Sequence, residues 1–312
     1  MQAPTKKIFA VFGNPILHSR SPQLFNEVFE HDNINAYYTR IQATNGKEVA
    51  DIIKEHKISG ANITTPFKEA VLEYVDSISD EAKQIGGINV VINFNGTLLG
   101  HNTDHLGATK PLEKIVDLKT ANCLVLGAGA AARAAVFGLI QKGANVTVAN
   151  RTFEKAKQIA KTFNCKAISL DKLEQYINKT DIIVSSLLPQ ANPLEGIILP
   201  KNLIILDANY RHSGVATYAL EQDCRLISGK EWLLYQAIET YKLFFGKEPD
   251  KSIMEAKFSS NLNPENINAL ELNPNVKHVY FQDVDIVIYT SSSDEAEFNK
   301  RLNEEKNMLI NG

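Results

Sequence analysis

The stretch "CLVLGAGAAARAAVFGLI", residues 123–140, constrains the fold more than any other part of this chain. An apolar run of strand character meets Gly127-Ala128-Gly129-Ala130-Ala131-Ala132, and an Ala-rich run of helical character follows at once. A glycine-rich turn by itself is weak evidence of a site. Between a strand and a helix it fits the dinucleotide fingerprint G-x-G-x-x-A. Gly127 permits the tight turn, Gly129 lets the backbone approach a pyrophosphate at the helix N-terminus, and Ala132 allows helix and strand to pack closely. The next strand ends "VTVANRT". An NAD site usually carries Asp or Glu there, to accept from the ribose 2′-hydroxyl. Here Asn150 is followed by Arg151, Thr152 and, further on, Lys155. Arg151 can fork onto a 2′-phosphate while Lys155 adds a point charge, which favours NADP. The candidate cofactor residues are Gly127, Gly129, Ala130, Ala131, Asn150, Arg151, Thr152 and Lys155.

The alternation continues through "FEKAKQIAKTFN", "KAISL", "DIIVSSLL" and "NLIILDANY". It predicts a parallel sheet with helices on both faces, a doubly wound, Rossmann-like domain over residues 106–232. Residues 1–105 read as a separate α/β domain. "KIFAVFG", "AYYTRIQ" and "SGANIT" have strand character, "SPQLFNEVFEHD", "GKEVADIIKEHK" and "FKEAVLEYVD" have helical character, and "NVVINFNGTLLGHNTD" is two strands joined at Asn95-Gly96. The amphipathic run "EWLLYQAIETYKLFFGK", near 233–247, is of the kind that packs back on a first domain. Two domains suit the 312 residues.

Composition narrows the function. A net charge of -3 gives no footprint for nucleic acid. Cys123, Cys165 and Cys224 are far apart and form no CxxC pair, so neither a disulfide framework nor a metal site is expected. Reduced thiols point to the cytoplasm. No signal peptide is apparent, and no apolar run approaches the ~18 residues of a membrane helix.

Three short motifs bear on chemistry. "GNPILHSRSP" sets Ser19 and Ser21 before a helix, where serines ordinarily cap. "GANITTPFK" ends a strand at a proline, which cannot donate to a ladder, and turns Lys68 into a helix start. "GHNTDHLG" holds Asp104 in a turn, where Asp is most often a cap. Each alone has a bland structural reading. Together, and in this order with "GAGAAARA", "NRTFEKA" and "SGKEWLLYQA", they resemble the shikimate dehydrogenase family over about residues 8–247.

The resemblance implies a cytoplasmic enzyme of aromatic amino-acid biosynthesis that reversibly reduces 3-dehydroshikimate to shikimate with NADPH. Its substrate would lie in a cleft between the two domains. It makes Lys68 and Asp104 the expected catalytic pair and sets Ser19 and Ser21 on the substrate carboxylate. Asn62, Thr64, Asn89, Asp104 and Gln236 would contact ring hydroxyls or support the groups that do, and Tyr210 matches a family tyrosine near the carboxylate. Val90, Trp232, Phe25 and the absence of Asn-Pro after Tyr210 depart from the family pattern. A quinate/shikimate-type paralogue and a regulatory NADP-binding protein are the alternatives.

Residues 258–312 fall outside the resemblance. The Asn-rich stretch from Asn261 to Asn275, with Pro264 and Pro274, reads as a linker. Residues 278–290 have strand character, and Phe298, Leu302, Glu305 and Leu309 fall at helical spacing. This C-terminal β/α extension is too small for its own core. It is expected to dock on its own body or on a second copy in a homodimer. Every candidate catalytic residue precedes it, so a chain ending at residue 257 is expected to keep activity and to become monomeric.

Overall fold

The computed structural model describes residues 6–210, 212–256, 276–281, 284–289, 296, 299–301 and 303–305. The linker reading and Phe298, Leu302 and Leu309 lie outside these residues. The chain divides into two compact units, Met1–Asn102 with Thr240–Gly312, and Thr103–Glu239.

In the first unit the strands are β1 (Lys7–Gly13), β2 (Ala36–Gln42), β3 (Gly60–Ile63), β4 (Ser77–Ile78), β5 (Val90–Phe94) and β6 (Thr97–His101). β5 and β6 form the hairpin expected at Asn95-Gly96, with φ of 53° and 92° at the two turn residues. Both values are positive, as a two-residue hairpin turn of this kind requires. The run "FKEAVLEYVD" is less regular than its periodicity suggests. It is a four-residue helix, Phe67–Ala70, followed by a 3-10 turn at Leu72–Tyr74. The chain tightens where the Ala70 carbonyl meets the helix Gly46–Glu55, so closely that a Cβ on Gly46 would lie 2.2 Å from it. The helix Asp80–Ile85 was not anticipated, although Ser79 as N-cap and left-handed Gly86 as C-cap are both legible signals.

Strands β7 (Asn122–Leu126), β8 (Asn145–Ala149), β9 (Lys166–Ile168), β10 (Ile182–Ser185), β11 (Ile204–Asp207) and β12 (Arg225–Ile227) build the second unit. Their order is β12-β11-β10-β7-β8-β9, and every adjacent pair is parallel. In chain order this is the 3-2-1-4-5-6 doubly wound sheet. Cys123 and Val125 face one core while Leu124 and Leu126 face another. A strand buried on both faces reads as a continuous apolar run, as "CLVL" does.

The helix Gly229–Phe245 crosses the division between the units. From Thr240 onward it belongs to the first unit, where Phe244 and Phe245 pack with Phe9, Phe25 and Phe29. Gly60 of β3 is glycine because a Cβ there would meet the Phe244 ring at 2.5 Å. Two more strands, β13 (Val276–Phe281) and β14 (Val284–Tyr289), form an antiparallel hairpin. β14 joins β2 in parallel at Ile41 and Gln42, giving an eight-stranded sheet, β13-β14-β2-β1-β3-β5-β6-β4. The C-terminal extension therefore docks on its own chain. Among the described residues no helix is long and apolar enough to cross a membrane.

Candidate active site

β1 ends at Gly13, packed so that a Cβ would come within 2.7 Å of the Thr64 methyl. The chain then crosses to the helix Ser21–His31. That helix begins at N-cap Arg20 without a side-chain cap, while Ser19 Oγ accepts from Ser21 N at 3.4 Å. Ser19 and Ser21 are buried with their hydroxyls 3.4 Å apart. Arg40, in the middle of β2 and 0% exposed, donates from Nε and from a terminal nitrogen to the Ser19 carbonyl, at 2.9 and 2.6 Å, and to Gln23 Oε1 at 3.0 Å. A fully buried guanidinium is stable only with such partners, and here they fix the backbone that carries Ser19.

Next to Arg40 on the same strand, Tyr38 joins two motifs. Its hydroxyl donates to Asn62 Oδ1 at 2.6 Å and hydrogen-bonds the Ser21 side chain. Its ring stacks on Phe25 at 4.5 Å between centroids. Burial pushes the phenol well above its ordinary pKa, so it stays a neutral donor. Asn62 Nδ2 donates in turn to the Asn89 carbonyl and to Thr240 Oγ, each at 3.2 Å. Ser19, Ser21, Asn62 and Asn89 thus share one polar chain in the first unit. Thr64 lies just beyond β3, and the Lys68 carbonyl accepts from Ile88 N at 2.8 Å, beside Asn89. Asn102 ties the end of β6 to the Gly87 carbonyl at 2.9 Å.

Asp104, Tyr210 and Gln236 belong to the second unit. Asp104 is the first residue of the helix Asp104–Glu113 and is 5% exposed. Its neighbour Thr103 donates to Gln236 Oε1 at 3.5 Å, while Gln236 Nε2 donates to the Leu233 carbonyl at 3.1 Å. Trp232 packs under this helix so tightly that a Cβ on Gly107 would meet its ring at 2.7 Å. Tyr210 follows β11 in a loop organised by buried Asp207, which accepts from Asn209 N and Nδ2 and from the Ser213 hydroxyl.

The glycine turn follows β7. Gly127 has φ +121°, a value that favours glycine. A Cβ on Gly129 would meet nothing within 4 Å, so the backbone stands open to a ligand. The helix Ala130–Gln141 starts without a side-chain cap, which leaves first-turn N–H groups for an anion. At the end of β8, Asn150 donates to the Thr152 carbonyl at 3.0 Å and shapes the turn, while Arg151, Thr152 and Lys155 are exposed. These residues fit a dinucleotide that carries an extra phosphate.

Tyr38, Arg40 and Thr240 were not singled out by sequence. The available signal was Arg40, a charge inside "AYYTRIQ", a strand in which every residue is buried. Among the described residues no cluster of three or more His, Cys, Asp or Glu could hold a metal ion.

Residues 11–91 match the family model described as shikimate dehydrogenase substrate binding domain, and residues 110–195 match the one described as shikimate / quinate 5-dehydrogenase. The shikimate dehydrogenase (NADP(+)) of Pyrococcus furiosus is 37% identical over 256 residues, covering 80% of this chain and 93% of that one. The crystal structure of shikimate dehydrogenase from Aquifex aeolicus superimposes with a TM-score of 0.78 at 31% identity, over 83% of this chain and 100% of that one. The shikimate 5-dehydrogenase of Thermus thermophilus, solved in complex with NADP(H) and shikimate, gives 0.74 at 30% identity, over 85% and 100%.

Proposed function

Because the chain belongs to the shikimate dehydrogenase family, we propose that it catalyses the reversible NADPH-dependent reduction of 3-dehydroshikimate to shikimate, in aromatic amino-acid biosynthesis. The observation that carries this reading is the polar chain from Ser19 and Ser21 through Tyr38 to Asn62. It holds the hydroxyls and amide that a small carboxylated polyol needs, on one buried framework.

Ser19 and Ser21 are assigned to the substrate carboxylate. Asn62, Thr64, Asn89 and Gln236 are assigned to ring hydroxyls or to their support, and Tyr210 to the carboxylate end. The backbone N–H groups at Gly127, Gly129, Ala130 and Ala131 would hold the pyrophosphate. Arg151 and Lys155, with Asn150 and Thr152, would hold the 2′-phosphate. When bound, NADPH supplies the hydride that adds to the ketone carbon. Lys68 Nζ donates to the ketone oxygen and stabilises the negative charge that develops there. Asp104 is assigned to orient the lysine and the reacting hydroxyl by hydrogen bonding. The thiols take no part. Burial pushes Cys123 up to about 12 and Cys165 up to about 11, leaving both protonated and unreactive. Such unpaired thiols fit a reducing cytoplasm.

The test uses purified full-length chain with NADP+ or NAD+ and with shikimate or quinate, following absorbance of the reduced nucleotide. Reduction of NADP+ by shikimate, with NAD+ and quinate much poorer, is the expected result. Preferred use of quinate with NAD+ would move the chain to a paralogous activity, and no turnover with either acid would remove the enzyme reading.

A further inference from the structure

Every assigned site residue precedes residue 237, yet the C-terminal extension reaches the loop that carries Ser19 and Ser21. β14 attaches at Ile41 and Gln42, the carboxyl end of β2. Beyond it, Glu305 is 0% exposed and its carboxylate lies on the loop backbone. Oε1 and Oε2 accept from Ile16 N at 2.8 and 2.9 Å, and Oε2 also accepts from Leu17 N at 3.0 Å. Gln42 adds a side-chain hydrogen bond to the same carboxylate. The Ile16 carbonyl accepts from Ser19 N at 2.9 Å, so one residue separates Glu305 from the serine backbone. Four residues earlier, buried Arg301 lies 3.7 Å from Glu48 Oε1. The other oxygen of Glu48 accepts from Thr44 N and Thr44 Oγ at the start of the helix Gly46–Glu55.

A buried carboxylate is costly, and it is retained where it satisfies donors that nothing else satisfies. Ile16 and Leu17 are themselves buried, so their N–H groups have no recourse to water. Burial pushes the Glu305 carboxyl up, and the Leu17 and Ile16 N–H groups pull it back down. The contact spans 289 positions and ends on the loop between β1 and the two serines.

We propose that Glu305 is a positioning residue for substrate: by tying the Ile16 and Leu17 amides it holds Ser19 and Ser21 in the geometry that grips an anionic carboxylate. This rests on the assignment of the two serines to the substrate carboxylate. A chain ending at residue 257 then loses affinity for shikimate, which revises the expectation drawn from sequence.

The test is Glu305→Gln in the full chain. The amide keeps the volume but sets an NH2 group against backbone donors. The KM for shikimate should rise about tenfold or more, with the KM for NADP+ and kcat within about twofold, because the loop's serines are assigned to the substrate carboxylate and not to the cofactor or the reacting carbon. Hydrogen exchange at the Ile16 and Leu17 amides should accelerate. Glu305→Asp, which keeps the charge, should recover part of the loss. If Glu305→Gln only lowers Tm and leaves the shikimate KM alone, Glu305 is a structural clamp and the proposal fails. It fails equally if the KM falls, which would show repulsion between two carboxylates. If Glu305→Gln does not fold, exchange in the wild type decides: protected Ile16 and Leu17 amides support the contact, and fast exchange there overturns it. Absence of shikimate turnover in the wild type would remove the assignment of the serines, and this proposal with it. Normal wild-type turnover with an unaltered variant KM would remove only the role of Glu305.

Discussion

Tyr38→Phe removes one oxygen atom and leaves volume and ring stacking unchanged, so its effect can be worked from the hydrogen bonds alone. Tyr38 is 0% exposed, and its hydroxyl donates to Asn62 Oδ1 at 2.6 Å. Asn62 is itself buried, so without that donor its oxygen has no water to turn to. An unsatisfied buried acceptor costs about 1–3 kcal/mol. The Ser21 hydroxyl loses a partner as well. A loss of about 2 kcal/mol corresponds to a Tm lower by roughly 4–8 °C for a unit of this size. Asn62 keeps its amide contacts to Asn89 and Thr240, which limits the damage to one side of the residue. If Asn62 and Ser21 grip substrate, the loss also appears in binding, where about 1.4 kcal/mol is tenfold. The shikimate KM should therefore rise by roughly an order of magnitude. The phenol is held neutral by burial, so the effect should not depend on pH across the neutral range. The assay pairs thermal denaturation followed by circular dichroism with steady-state kinetics at saturating NADP+. A Tyr38→Phe protein with wild-type Tm and wild-type KM would falsify the role given to this hydroxyl. A lower Tm with unchanged KM would confine Tyr38 to the fold.

Lys68→Ala and Asp104→Ala should each lower turnover by about 10²-fold or more while folding survives; near-native kcat in folded Lys68→Ala would take the lysine out of the mechanism. Arg151→Ala should weaken NADPH far more than NADH, since a charge-assisted hydrogen bond to the 2′-phosphate contributes about 1.5–3 kcal/mol. Equal loss for the two cofactors, measured by titration of protein fluorescence, would mean that Arg151 does not select the phosphate. Asp32 accepts from Lys247 at 2.7 Å and from Tyr241 at 2.6 Å, and these hydrogen bonds hold its carboxyl well below the usual range. Its stabilisation is complete above the ordinary carboxylate pKa near ~4 and is lost as pH falls below that value. Asp32→Asn should therefore lower stability at neutral pH by about 1 kcal/mol, read as a lower Tm, because Lys247 is half exposed and screened. The difference from wild type should close in acid; a difference that persists at low pH would assign the loss to packing instead.

The residues that sequence alone made legible are those whose role is set within a few positions of backbone. Gly127 and Gly129 are read from a strand on one side and a helix on the other. Asn95-Gly96 demands a hairpin whatever surrounds it. Pro66 must end a ladder. The doubly wound sheet follows from alternating periodicity, because a strand buried on both faces cannot afford polar positions. The motifs holding Ser19, Asn62, Lys68 and Asp104 are local for the same reason: each is a strand end or a turn. What joins them is not local. Tyr38 meets Asn62 across 24 positions, Thr240 meets Asn62 across 178, and Glu305 meets Ile16 across 289. Nothing in "AYYTRIQ" says which of its seven residues will be satisfied by which loop, since a strand's pairing depends on neighbours that the strand does not encode. Tertiary structure alone decided that Arg40 is buried against Ser19, that the returning helix changes units at Thr240, and that the C-terminal extension lies on its own sheet with Glu305 on the serine loop. Each of these depends on burial, which turns an ordinary polar side chain into one that must find a partner, and burial exists only once the whole unit has folded.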